Sequence, residues 1–279
     1  MFKVKERGRN SYQFYTEDLT HRAMQRMLLE NGIRKALTDQ HFVAWYQPQY
    51  DIETNQLIGM EALARWISPD RGIISPLDFI PLAEETGLIL ELGEQILDQV
   101  MQQVVGWHEQ GLNPGRVAIN VSGKQLLNGN ISATVKRLLE QNRCKVEWIE
   151  IEVTEGFVMG QGEGAIEQLQ ELQALGVQLS IDDFGTGYSS LAYLKQLPIS
   201  KLKIDKSFVD DLPHDLDDTG ITRAVIALAN SLGLDVIAEG VESREQADFL
   251  LQEGCPLAQG YLYSKPLPAD KITTLLKNG

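Results

Sequence analysis

From Pro76 onward the chain alternates short apolar runs with longer amphipathic stretches, and few architectures accommodate that pattern. Strands are predicted over 116–122, 148–154, 177–183, 201–205, 235–239 and 257–261. Helices are predicted over 76–86, 89–110, 125–142, 163–175, 190–196, 219–232, 244–253 and 269–277. Glycine follows several of them, at Gly87, Gly111, Gly176, Gly233 and Gly254. A helix between two strands is a crossover, so these strands are parallel neighbours. Upstream, strands over 42–50 and 57–66 are joined only by the turn 51–56, which makes that pair antiparallel. The expected fold is α/β: a modified TIM (β/α)8 barrel with one antiparallel strand. An open doubly wound sheet is the alternative, and the count of eight strands favours closure.

Composition narrows the function. With 279 residues, 43% of them apolar, the chain can build one large core, and no linker interrupts residues 40–279. The net charge of −14 argues against a nucleic-acid polymer or an anionic membrane surface as partner. A small anionic substrate stays open, because a bound cation reverses the local field. Cys144 and Cys255 lack metal-ligand spacing and suit a reducing compartment. No apolar run approaches the roughly 18 residues of a membrane span. The first residues lack the apolar core of a signal peptide, so the expected location is cytoplasmic.

Parallel strands buried on both faces should read as continuous apolar runs. Here most carry a polar interruption: Glu61, Asn120, Glu150 with Glu152, Asp182 with Asp183, Lys203, Glu239 and Gln259. Singly, each has a plain explanation. Asp182 or Asp183 could cap a following helix, and a lone Glu usually faces solvent. In a parallel barrel, however, strand C-termini converge on one rim. Glu61, Glu152, Asp182, Asp183 and Glu239 would then share one mouth, with Lys203 and Arg65 as the cations. So many carboxylates in a low-dielectric pocket need added positive charge. The all-oxygen donor set, with the histidines (His21, His41, His108, His214) scattered, favours Mg2+ or Mn2+ over Zn2+. An Asp182 bridging two ions would suit phosphodiester hydrolysis through an activated water. Lys203 would orient that water or stabilise the phosphorane; its alternative role is a plain salt bridge.

The segment Glu61-Ala62-Leu63-Ala64-Arg65-Trp66 resembles the signature of the EAL domains, phosphodiesterases for cyclic di-GMP. The likeness runs over roughly residues 25–279. It includes Tyr46-Gln47-Pro48, Asn120-Val121-Ser122, Glu152-Val153-Thr154-Glu155, Asp182-Asp183-Phe184-Gly185-Thr186-Gly187-Tyr188-Ser189-Ser190, Leu202-Lys203-Ile204-Asp205, Glu239-Gly240-Val241-Glu242 and Gln259-Gly260-Tyr261. The resemblance implies hydrolysis of cyclic di-GMP to linear pGpG with two Mg2+ or Mn2+ ions. It implies Glu61, Asn120, Glu152, Asp182, Asp183 and Glu239 as metal ligands, with Lys203 placing the attacking water. Glu239 is read either as a ligand or as a general base. Gln47, Arg65 and Gln259 would contact the nucleotide, Arg65 near a phosphate. Glu155 would hold the loop after Asp183 that contains Thr186, and Glu242 would support the metal shell or its waters. The alternative function is a catalytically silent receptor for the same ligand.

The resemblance also implies a homodimer formed through the Phe184–Ser190 loop and its neighbouring helix. The segment from Lys5 to Tyr12 resembles the end of a GGDEF domain. Residues 1–20 would then be the tail of a preceding GGDEF-like domain or a linker, 21–40 a connecting helix, and 41–279 the barrel. The parent protein could be membrane-anchored elsewhere.

Overall fold

A computed structural model describes residues 17–128, 130–160, 163–187 and 194–278. Residues 1–16 of the tail expected over 1–20, residues 190–193 of the helix read over 190–196, and Tyr188 to Ser190 of the loop lie outside them. Helix α1 (Glu17–Thr38) leads into an antiparallel hairpin of β1 (Phe42–Asp51) and β2 (Leu57–Ser68). Then follow β3 (Gly72–Ile74), α2 (Pro76–Thr86) and α3 (Ile89–Glu109). Next come β4 (Arg116–Asn120), α4 (Gly123–Asn128), α5 (Ile131–Asn142), β5 (Ile149–Thr154), α6 (Glu155–Gly160), α7 (Glu163–Ala174) and β6 (Gln178–Phe184). The chain continues through β7 (Lys201–Ile204), α8 (Leu216–Leu232), β8 (Asp235–Ala238) and α9 (Arg244–Gln252). It ends with β9 (Leu257–Gln259), β10 (Leu267–Pro268) and α10 (Ala269–Asn278).

The sheet order β1-β9-β8-β7-β6-β5-β4-β2 closes on itself because β1 also pairs with β2, giving the expected eight-stranded barrel. β1 is antiparallel to both of its barrel neighbours, and every other barrel pairing is parallel. The reason is the short 51–56 turn: without a crossover helix, the second strand must run back along the first. Helices cover the outside. α3 buries Leu92, Ile96, Val100 and Val104 at four-residue spacing against the barrel. Each fully buried aliphatic side chain contributes about 1.5–3 kcal/mol.

Three readings of the sequence need correction. The stretch 125–142 is two helices, because Asn130 adopts φ 44° and interrupts the helical backbone between Asn128 and Ile131. The helix expected over 21–40 is α1, which begins earlier, at Glu17, and ends at Thr38. Ile33 and Leu37 are buried, whereas Met24 and Met27 are 63% and 64% exposed. The strands β3 and β10 were unforeseen; at three and two residues they carry no readable period.

Candidate metal and phosphodiester site

The barrel brings the polar strand residues together inside its C-terminal mouth. Register places Gln47 opposite Glu61, Asn120 beside Glu152, and Thr154 beside Asp182. Lys203 is wholly buried at their centre. Its Nζ lies 2.7 Å from Glu152 Oε2, 3.1 Å from Asp182 Oδ1 and 3.4 Å from Glu61 Oε2, and it also pairs with Glu239 Oε1. Oxygens of Glu61, Glu152 and Asp182 all lie within 4.8 Å of one another.

β6 explains how two adjacent aspartates both reach this mouth. Strand alternation would send Asp182 and Asp183 to opposite faces. Instead, the pairing with β7 steps from Ile181–Leu202 to Phe184–Ile204, which leaves one extra residue on β6. Asp183 takes up the bulge with φ 55°, and its N–H donates to Asp182 Oδ1 at 3.0 Å. Both aspartates line the same cavity. Beyond them Gly185 adopts φ 102° and donates its N–H to the fully buried Glu155 Oε2 at 2.7 Å. Thr186 Oγ1 donates to Asp183 O at 2.8 Å. Glu155 and Thr186 thus both hydrogen-bond the backbone at or just after Asp183.

The electrostatics are unbalanced. Burial favours the neutral Lys203 amine, yet Asp182, Glu152, Glu239 and Glu61 together hold the ammonium charged. One ammonium does not neutralise that set. Burial pushes the Glu152 and Glu239 carboxyls well above the usual range, and their acidic neighbours push further. Burial and then Asp182 raise Asp183 to about 6. Glu152 Oε1 is buried with no hydrogen-bond partner among the described residues. Carboxylate oxygens without donors, packed this closely, match the chemistry of a hard divalent cation, so the donor set fits one. Asn120 donates Nδ2 to Glu61 Oε1 at 2.6 Å, which leaves its carbonyl oxygen as the atom to offer a cation.

A glutamine chain positions Glu61 from behind. Gln259 Nε2 donates to Glu61 Oε2 at 2.5 Å and to Gln47 Oε1 at 3.1 Å, while Gln49 Nε2 donates to Gln259 Oε1 at 2.9 Å. Of the two glutamines that the resemblance gives as nucleotide contacts, Gln259 is thus a buried partner of the Glu61 carboxylate, and Gln47, also buried, accepts from Gln259 and donates to Ser264 O. Gln49 went unread; its signal was its place two residues beyond Gln47 on the same strand face. Glu242 stands apart from the cluster and grips Lys206 Nζ at 2.7 Å on the surface. Arg65 lies over the Trp45 ring at 5.8 Å. It also borders a cavity of about 280 Å3 whose lining includes Leu63, Ile80, Glu84, Gln125, Asp182 and Asp183.

A closed mixed barrel with buried acids around one lysine at its C-terminal mouth is an arrangement that could hold a divalent cation. The EAL domain model matches residues 30–266, and the chain belongs to that family. It is 40% identical over 272 residues to the bifunctional diguanylate cyclase/cyclic di-GMP phosphodiesterase MucR of Pseudomonas aeruginosa, covering 98% of this chain and 40% of that protein. It is 40% identical over 269 residues to the cyclic di-GMP phosphodiesterase PdeR of Escherichia coli, covering 96% of this chain and 40% of that one. The chain thus spans about two fifths of the length of these curated relatives. The structure of the PaMucR phosphodiesterase in complex with c-di-GMP superposes with a TM-score of 0.85 at 41% identity, covering 88% of this chain and 99% of that one. No helix among the described residues is long and apolar enough to cross a membrane.

Proposed function

We propose that this chain is a metal-dependent phosphodiesterase that hydrolyses one ester bond of cyclic di-GMP to give linear pGpG. The observation that carries the reading is the crowding of Glu61, Glu152, Asp182 and Glu239 around a single buried ammonium, with one carboxylate oxygen left without a donor. The sequence likeness to MucR and PdeR, both named as cyclic di-GMP phosphodiesterases, supports the substrate class.

Glu61, Asn120, Glu152, Asp182, Asp183 and Glu239 would hold two Mg2+ or Mn2+ ions. Bound there, the ions would supply Lewis acidity toward the phosphate and lower the pKa of water. Lys203 holds its proton firmly, so its role is to orient an attacking oxygen and to offset charge on the phosphate rather than to act as a base. Glu239 is the more exposed member of the lysine's carboxylate set, at 18% of its side chain, and is placed either to bind metal or to accept a proton. Arg65 reaches the mouth as the cation for a substrate phosphate. Gln259 holds Glu61 and Gln47 braces Gln259, and either would touch nucleotide only by releasing one of those bonds.

We further read the chain as a cytoplasmic, dimerising module, with residues 1–20 the end of a GGDEF-like domain or a linker and 21–40 a connecting helix. The motif likeness from Lys5 to Tyr12 and around Phe184 supports that reading. Incubation with cyclic di-GMP and Mg2+ or Mn2+ tests the activity: pGpG is the expected product. Binding without product in either metal, at high protein concentration, would instead make this chain a receptor. A Ca2+ arm should support binding with poor turnover, because its looser coordination does not suit a site built for a smaller ion.

A further inference from the structure

Glu61, Glu152 and Asp182 sit within strands, where pairing with neighbours fixes the backbone. Glu239 does not, because β8 ends at Ala238. Its N–H donates to Ile204 O at 3.1 Å. The next tie to a strand, Val241 N–H to Gln259 O at 3.0 Å, follows a left-handed turn at Gly240 with φ 67°. Asp182 and Glu61 repel the Glu239 carboxylate, so the turn that carries it is pushed away from the cluster. Holding it there takes a brace from outside the strand.

Lys206, on the loop after β7, lies across that turn. Its stem packs so closely on Gly240 that a Cβ added there would fall 2.3 Å from Lys206 Cγ. Position 240 is therefore glycine both for its φ and for this stem. The Lys206 ammonium pairs with Glu242 Oε1 at 2.7 Å on one loop and with Asp210 Oδ1 at 2.7 Å on the other. Buried Gln246 makes the same link a second time. Its Oε1 accepts from Glu242 and Ser243 N–H at 2.8 and 2.9 Å, and its Nε2 donates to Val209 and Asp210 O at 2.9 and 3.0 Å. Lys206, Asp210 and Glu242 are each about half exposed, so their ion pairs contribute little to stability. What the clamp fixes is the placement of the residue next to Gly240.

We propose that Lys206 is a positioning residue: it clamps the Glu239–Glu242 turn to the loop after β7 and so holds the Glu239 carboxylate against Lys203 and the acid cluster. Its effect on turnover rests on the phosphodiesterase reading above; its effect on the turn does not. Residues that only orient a ligand or base are worth about 10–100-fold in activity.

Steady-state kinetics on cyclic di-GMP and amide hydrogen exchange of the metal-free chain test this in wild type, Lys206→Met and Lys206→Arg. Arg137→Met is the control, since Arg137 on α5 pairs with Glu94 on α3 at 2.6 Å with similar exposure but far from Glu239 in the chain. Lys206→Met should lower kcat at least about tenfold with KM held within about twofold. Exchange over residues 239–242 should quicken about tenfold in the same variant. Lys206→Arg should keep kcat within about threefold of wild type. Arg137→Met should change neither readout, and all variants should melt within about 3 °C of wild type. Unchanged exchange over 239–242 in Lys206→Met, unchanged kcat in that variant of an active enzyme, or an equal loss in Arg137→Met would overturn the clamp. A wild-type chain that does not cut cyclic di-GMP would overturn the phosphodiesterase reading, and the exchange result alone would then decide the clamp.

Discussion

Two buried lysines stand two residues apart on the same strand, and their surroundings differ in one respect. Lys201 pairs with Glu150 alone, at 2.7 and 3.0 Å to its two oxygens, and both side chains are nearly sealed from solvent. Lys203 faces Glu61, Glu152, Asp182 and Glu239. Each lysine on β7 reaches a glutamate on β5, past the intervening β6. That reach across a strand marks stacked layers in the barrel interior. The lower layer is charge-neutral and complete: both carboxylate oxygens of Glu150 have donors. The upper layer is net negative and leaves Glu152 Oε1 without one. A balanced pair closes the barrel floor, whereas the unbalanced cluster has carboxylate oxygens to offer a cation.

Removing a carboxylate from each layer should have opposite consequences. Glu61→Ala should lower cyclic di-GMP turnover by more than about 100-fold, since even groups that only orient metal ligands are worth 10–100-fold. Glu152→Gln should lose turnover similarly, yet raise the thermal stability of the metal-free protein by about 1 kcal/mol through relief of repulsion. In the lower layer the sign reverses. Glu150→Gln strands the Lys201 ammonium and should cost about 3–5 kcal/mol of stability, read by denaturant unfolding. Replacing both partners, Glu150→Leu with Lys201→Met, should recover most of that loss. If Glu150→Gln and Glu152→Gln moved stability in the same direction, the two layers would not differ in the way described.

The same contrast governs how much the sequence disclosed. Polar residues inside otherwise apolar strands were visible at once, and the parallel-barrel rule sent Glu61, Glu152, Asp182 and Glu239 to one rim. Glu150 and Lys201 have the same local appearance, however, and nothing in strand periodicity separates a floor from a mouth; the height of each residue depends on barrel stagger. The bulge at Asp183 was equally hidden, because a one-residue shift in pairing leaves no mark on composition. The break between α4 and α5 had a visible signal in Asn128-Gly129-Asn130, but Leu126, Ile131, Val135 and Leu138 continue an apolar spacing across it. Glu242 was assigned by its motif alone, and its partner Lys206 lies on the loop after β7 rather than in the mouth.

A smaller effect probes the upper layer without mutation. Burial and acidic neighbours raise Asp183 to about 6, above its value in the unfolded chain, and push Glu152 and Glu239 upward as well. A carboxyl raised on folding binds its proton more tightly in the native state. For the metal-free protein, stability is therefore gained as pH falls through the folded-state value toward the unfolded one, and is lost on the way back up. A divalent cation competes for the same oxygens, so its stabilisation should run the opposite way. At pH 7.5, Mg2+ at about 100 times its Kd should stabilise the fold by about 2.7 kcal/mol. Below about pH 6 the apparent Mg2+ affinity should weaken by up to about tenfold per pH unit for each proton displaced. Thermal melts with and without Mg2+ from pH 5 to 8 read both slopes. Asp182→Asn should abolish the metal-dependent one. Glu150→Gln, although less stable throughout, should retain it, because the floor of the barrel has no oxygen to give.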